Sequence, residues 1–117
     1  MDFAFTEEQE LLRSQARDVL DRESDTRRVR AVMETELGHD PALYRRMADL
    51  GWTGISIPER SGGLGLGLVD LTVVREELGR HVTPSPLHAC VPLAAATVLA
   101  AGESPLADRL LPGLADG

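Results

Sequence analysis

The sequence predicts an all-α domain of five or six helices, and three observations lead there. Capping residues stand just ahead of apolar stripes at helical spacing in several places. The one stretch with a strand-like composition, "WTGISIP" from Trp52 to Pro58, is broken by Gly54 and Pro58 and is too short for a buried central strand. No repeat or low-complexity tract points to another architecture. At 117 residues, 43% of them hydrophobic, the chain is expected to form one domain, 1–117, with a helical core of its own.

The first helix begins at Thr6, which with Glu7, Glu8 and Gln9 reads as a capping box. Leu12, Ala16, Val19 and Leu20 repeat at helical spacing, and Glu10 with Arg13 and Asp18 with Arg22 are expected as solvent-side pairs. The polar break "DRESDT" then leads to a weakly patterned segment around Val29 to Met33, read as a short helix. Asp40 followed by Pro41 is an N-cap with proline at the first helical position; Leu43, Met47 and Leu50 form the stripe, and Gly51 closes it. "WTGISIP" is expected to be an extended connector.

Leu68, Leu71, Val74 and Leu78 line a helix to about Gly79, with Glu76 and Arg80 paired on its other side and Glu76 and Glu77 both expected at the surface. Ser85 and Pro86 start a further helix, "PLHACVPLAAATVLAAG", apolar on almost every side and expected to kink at Pro92. Ser104 and Pro105 repeat the cap-then-proline signal for a last helix through Leu110.

Charge and composition exclude several kinds of function. Nineteen acidic against twelve basic residues leave a net charge of −7, so nucleic acid and anionic lipid are not expected partners. Every basic residue is arginine, which removes chemistry that needs a lysine amine. No apolar run approaches the roughly 18 residues of a membrane span, and "MDFAFTEEQE" does not read as a signal or transit peptide; the expected location is the cytoplasm. Cys90 is the single cysteine, expected as a buried small hydrophobe and not as part of a disulfide or zinc cluster.

Four glycines, Gly62, Gly63, Gly65 and Gly67, precede the fourth helix, an arrangement that elsewhere cradles phosphate. Here Leu68 stands where the dinucleotide fingerprint needs its third glycine, no buried strand comes before, and no Lys-Ser or Lys-Thr follows. A tight connector packed on the helices fits better. His81 and His88 are separated by a turn and Pro84, so no metal site is expected. His88 and Cys90 point in different directions on a helix, which argues against a nucleophile and base pair. The residues by themselves describe an acidic helical domain without a self-contained active site.

The phrases "FTEEQELLR", "LGWTGISIPERSGGLGLG", "REELGR" and "LLPGLADG", in that order from Phe5 to Gly117, resemble the N-terminal helical domain of the acyl-CoA dehydrogenase flavoproteins. The combination of Pro58-Glu59, Gly62-Gly63-Leu64-Gly65 and Glu76-Glu77-Leu78-Gly79 carries the likeness. The resemblance implies an enzyme that removes the pro-R α-hydrogen and the β-hydride of an acyl-CoA thioester. The hydride passes to FAD and the electrons leave through an electron-transfer flavoprotein.

It also implies that a middle β-domain and a C-terminal helical domain, both absent here, bind most of the flavin, and that the glutamate base usually lies in the C-terminal one. No catalytic residue, cofactor ligand or metal ligand is therefore assigned to this chain, and it is expected to be inactive and flavin-free by itself. The implied contribution is one wall of the acyl pocket, from the helix Pro86 to Ala101, with Pro86, Ala89, Cys90 and Leu93 as candidates on the acyl-facing side. "HVTPSPL" is similar to a branch that includes bacterial enzymes of bulky or steroid-derived thioesters; fatty acid or steroid catabolism is the implied setting.

Implied partners are the missing domains or a partner subunit, acyl-CoA and an electron-transfer flavoprotein, with an oligomer expected. The alternative is a stand-alone helical interaction or acyl-binding module that has the domain without the chemistry. A large exposed apolar patch favours the first reading, and a polar surface or a homodimer that hides the patch favours the second.

Overall fold

Residues 3–117 are described by the computed structural model; Met1 and Asp2, which open the phrase read above for a leader, lie outside them. Thr6 Oγ1 accepts from Gln9 N at 3.2 Å while Thr6 N donates to Gln9 Oε1 at 3.0 Å, and this capping box starts α1, Glu7–Glu23. Asp25 caps α2, Thr26–Met33, by accepting from Arg28 N. Asp40 caps α3, Pro41–Asp49, and Gly51, at φ +82°, turns the chain out of it. After α4, Leu68–Arg80, the chain re-enters a helical run that is π-helical over Ala89–Ala95 and α-helical over α5, Ala96–Ala100. Ser104 caps α6, Pro105–Asp116. There are six α-helices and no strand among the described residues, as the sequence predicts.

Helices α1 and α4 run parallel, and a ladder of polar contacts rises along both. Gln9 Nε2 donates to Asp70 Oδ1 at 3.3 Å, Arg13 Nη1 to Glu76 Oε2 at 2.7 Å and Arg17 Nη2 to Glu77 Oε1 at 2.7 Å. Higher up, His81 Nε2 meets Asp21 Oδ1 at 2.7 Å and the hydroxyls of Ser24 and Thr83 meet at 2.8 Å. Beneath this ladder Ala16, Val19 and Leu20 of α1 pack with Leu71 and Val74 of α4, Leu43 and Met47 of α3, Trp52, Ile55, Leu87 and Val91. A second cluster joins Ile57 and Ala95 to Ala107, Leu111 and Ala115 of α6, so the run from Leu87 to Ala95 belongs to both cores. The body measures 43 × 42 × 19 Å. At helix diameters of about 10–12 Å the short dimension holds two layers, which leaves each helix a face without cover.

Several expectations are corrected. Glu77 is not at the surface but 1% exposed, because it lies on the same face of α4 as the buried Val73 and Val74 and is held there by Arg17. Glu76 pairs with Arg13 across the α1–α4 seam and not with Arg80, and Asp18 and Arg22 form no ion pair among the described residues. Leu68 is 68% exposed, so the buried stripe of α4 starts at Leu71.

"WTGISIP" is not extended. Trp52–Gly54 is a tight helical turn, and Trp52, Ile55 and Ile57 all point inward, which a strand's alternation would forbid.

The last helix does not stop at Leu110 but continues through Pro112 to Asp116, its last turn held by burial and by donors from elsewhere in the fold. Leu111 and Ala115 are buried on either side of Pro112. Thr53 Oγ1 donates to the Ala115 carbonyl at 2.6 Å and Arg45 Nη1 to that of Asp116 at 3.3 Å.

Candidate functional site

The glycine loop is built from the inside. Leu64 N donates to Gly54 O at 2.8 Å, Gly65 N to Ile57 O at 2.8 Å, Leu66 N to Ile55 O at 2.9 Å and Gly63 N to Pro58 O at 3.1 Å. Four successive N–H groups are thereby spent on the turns before the loop. The start of α4 is likewise occupied, since Gly67 N donates to the carboxylate of Asp70 at 2.9 Å.

The loop is not a pyrophosphate cradle of the expected kind: its own amides from Gly63 to Leu66 are taken, and the acidic side chain of Asp70 stands at the helix end. Gly63 is needed because a Cβ there would overlap the Ile57 carbonyl, and Gly65 because its φ is +64°. The expected tight connector is what is observed. Leu64, Leu66 and Leu68 remain exposed, with the side chain of Leu64 lying over Gly51.

The helical run from Leu87 to Ala100 carries the acyl-wall candidates. Ser85 Oγ accepts from Leu87 N at 3.1 Å and opens the run. Proline at 92 has no N–H, and its ring would strike the carbonyl one α-turn back; the chain answers with the wider π turn of Ala89–Ala95. The expected irregularity at Pro92 is therefore a π segment that passes directly into α5.

Leu87, Val91 and Ala95 form the buried stripe. Ala89 and Leu93 face away from the core, Leu93 being 55% exposed, and Pro86 is half-buried. Cys90 differs from the expected fully buried thiol: it is half-buried against the first core, beside Tyr44. Burial, and then the hydrogen bond with the Cys90 thiol, push the Tyr44 hydroxyl well above the usual phenol range. Of the four candidates, Ala89 and Leu93 share an open face, while Cys90 is turned toward Tyr44.

The buried carboxylate is structural. The hydrogen bond from Arg17 holds the Glu77 carboxyl below the usual carboxylate range, outweighing the burial that pushes it up. The signal for its burial was present in the sequence, since Glu77 follows Val73 by four residues and Val74 by three. His81 and His88 are occupied separately, by Asp21 and Arg75. Among the described residues no cluster of His, Cys, Asp and Glu could hold a metal ion, and no helix is long and apolar enough to cross a membrane.

A family model for the acyl-CoA dehydrogenase N-terminal domain matches residues 6–117. The chain belongs to this family. An acyl-CoA dehydrogenase called IpdE2 from Mycolicibacterium smegmatis is 38% identical to the domain over 109 residues, which are 92% of this chain and 35% of that protein.

Among solved structures, a variant of the Tcur3481–Tcur3483 steroid acyl-CoA dehydrogenase matches with 40% identity and a TM-score of 0.81. That match covers 95% of this chain and 30% of the other. A chain of the ChsE4–ChsE5 complex from Mycobacterium tuberculosis matches with 28% identity and a TM-score of 0.81, over 99% of this chain and 31% of that one. The acyl-CoA dehydrogenase N-terminal domain described here thus spans about a third of the length of the relatives it matches.

Proposed function

We propose that this domain works as the N-terminal part, or a short subunit, of an FAD-dependent enzyme that dehydrogenates acyl-CoA thioesters at the α and β carbons. It would supply one wall of the acyl pocket and a surface on which the other domains sit. The observation that carries the reading is the uneven burial of the run from Leu87 to Ala100. One stripe is sealed into two cores, and the opposite face presents Ala89 and Leu93 to whatever lies outside.

An apolar, uncharged face suits the hydrocarbon of a thioester or the apolar side of a neighbouring domain. Pro86, Ala89 and Leu93 are the residues assigned to that wall, with Cys90 behind them near Tyr44. The flavin and the catalytic base would belong to middle and C-terminal domains or to a partner subunit, since the glycine loop and the buried Glu77 of this chain are committed to its own fold. The names of two matched structures, a steroid acyl-CoA dehydrogenase and a two-component complex, support steroid-derived thioesters and assembly with a second component. Electron-transfer flavoprotein would accept the electrons, and cytoplasm would be the place of work.

The test is reconstitution. The isolated chain should purify without colour, and mixing it with the middle and C-terminal domains of an acyl-CoA dehydrogenase should restore flavin retention and acyl-CoA-dependent dye reduction. If the chain leaves those domains inactive and remains a stable monomer that binds no apolar dye, the stand-alone interaction module replaces this reading.

A further inference from the structure

The end of α4 and the start of the next helical run enclose a cleft of about 400 Å³. None of the acyl-wall residues Pro86, Ala89, Cys90 and Leu93 lines it. Its apolar lining is Leu78, Val82 and Leu87, its hydroxyls are those of Thr83 and Ser85, and its charged side is Arg75 beside His88. The volume lies in the range of small-molecule sites, which run to roughly 300–1,000 Å³.

Three features point to the kind of ligand. In a chain of net charge −7 no acidic residue lines this cleft, and Arg75 has no ion-pair partner among the described residues. Its polar contact is with His88, Nη2 to Nδ1 at 3.0 Å; Nδ1 accepts there, which places the proton of the neutral ring on Nε2. Ser85 Oγ accepts from Leu87 N and donates to Met47 Sδ at 3.4 Å, and Thr83 Oγ1 is paired with the hydroxyl of Ser24. The guanidinium of Arg75 and the Nε2–H of His88 are the side-chain N–H donors of the cleft.

The wall is also strained. Val82 is a β-branched residue at φ +51°, held there by a helix-ending pair of bonds, Val82 N to Gly79 O at 3.1 Å and Thr83 N to Leu78 O at 3.0 Å. Backbone strain of this kind clusters at ligand sites.

We infer that this cleft binds a carboxylate carried on an apolar chain, with Arg75 taking the carboxylate and Leu78 and Val82 packing the hydrocarbon over a floor closed by the buried Leu87. The planar guanidinium fork matches two carboxylate oxygens, and the apolar lining selects against small hydrated anions. Two sources carry this chemistry: a free short-chain acid, and the C-terminus of a polypeptide ending in an apolar residue. The site is independent of the dehydrogenase reading, since it shares no residue with the acyl wall and no flavin or thioester enters the test.

The experiment is a two-dimensional NMR titration of the 117-residue chain with hexanoate, with hexanol and acetate as controls. Hexanoate should give saturable shifts of the Thr83, Ser85, Leu87 and His88 amides, and both controls should bind more weakly. Arg75→Gln, at an exposed position, should weaken hexanoate binding by about tenfold or more. A leucine-terminated peptide, free and amidated, separates the sources: tighter binding of the free form than of hexanoate assigns the site to a polypeptide terminus, and weaker binding assigns it to a small acid. The inference is overturned by absence of saturable shifts in the cleft, by equal binding of hexanol, or by unchanged binding in the Arg75 variant.

Discussion

Glu77 Oε1 lies 2.7 Å from Arg17 Nη2 and Glu77 Oε2 3.1 Å from Arg17 Nε, so a carboxylate 1% exposed joins α4 to α1 by both of its oxygens. The two helices are far apart in sequence and run parallel, and a parallel pair cannot be closed by a short loop. The pair sits midway along the seam, between the Arg13–Glu76 rung and the His81–Asp21 rung.

Glu77→Gln should cost about 1–3 kcal/mol at neutral pH, because the buried amide cannot satisfy both guanidinium donors. It should also change the response to acid. The folded-state carboxyl titrates below the ordinary value, so its stabilisation is complete above the unfolded value of about 4.3 and is lost as pH falls through the lower folded value. Urea titrations between neutral and acid pH should show the parent losing more stability than the variant on that limb. Parallel curves would mean that Glu77 contributes nothing specific as an anion.

Val82→Gly should stabilise the domain by about 1 kcal/mol, since glycine takes the left-handed position after α4 without the steric penalty of a β-branched side chain. Thermal unfolding reads this directly. Because most substitutions destabilise, a rise in the melting temperature is a demanding outcome.

The glycine loop predicts an order of effects. Gly63→Ala places a Cβ on the Ile57 carbonyl and 2.6 Å from Gly54 O, both backbone atoms in the interior, and should cost about 2–3 kcal/mol. Gly65→Ala meets nothing closer than 3.5 Å, so its cost is the positive φ alone, about 1 kcal/mol. Equal melting temperatures for the two variants would contradict the packing described here.

Leu93→Asp separates surface from core. At 55% exposed, Leu93 adds little to the stability of the domain, and the substitution should shift unfolding by no more than about 0.5 kcal/mol. In the reconstituted enzyme the same carboxylate would enter an apolar contact, and flavin retention or acyl-CoA turnover should fall at least about tenfold. A large loss of stability in the isolated chain would instead place Leu93 in the core.

The helix beginnings were legible in the sequence because their causes are local. Thr6 with Gln9, Asp40 with Pro41 and Ser104 with Pro105 satisfy the first N–H groups of a helix, or dispense with one, within three residues of the cap. The family phrases were legible for the same reason, and with them the tight glycine connector, whose positive φ at Gly65 and close approach at Gly63 are properties of single residues.

Tertiary structure decided what depends on distant neighbours. The spacing along α4 puts Glu77 beside Val73 and Val74, but only the approach of α1 brings Arg17 as its partner, and the end of α6 beyond Pro112 is held where Thr53 and Arg45 donate to its last carbonyls. The side of the Leu87–Ala100 run that stays open is likewise set by which stripe α1, α3, α4 and α6 have already covered. Capping is settled by atoms a few bonds apart along the chain, whereas burial and pairing are settled only when segments distant in sequence exclude water from between them.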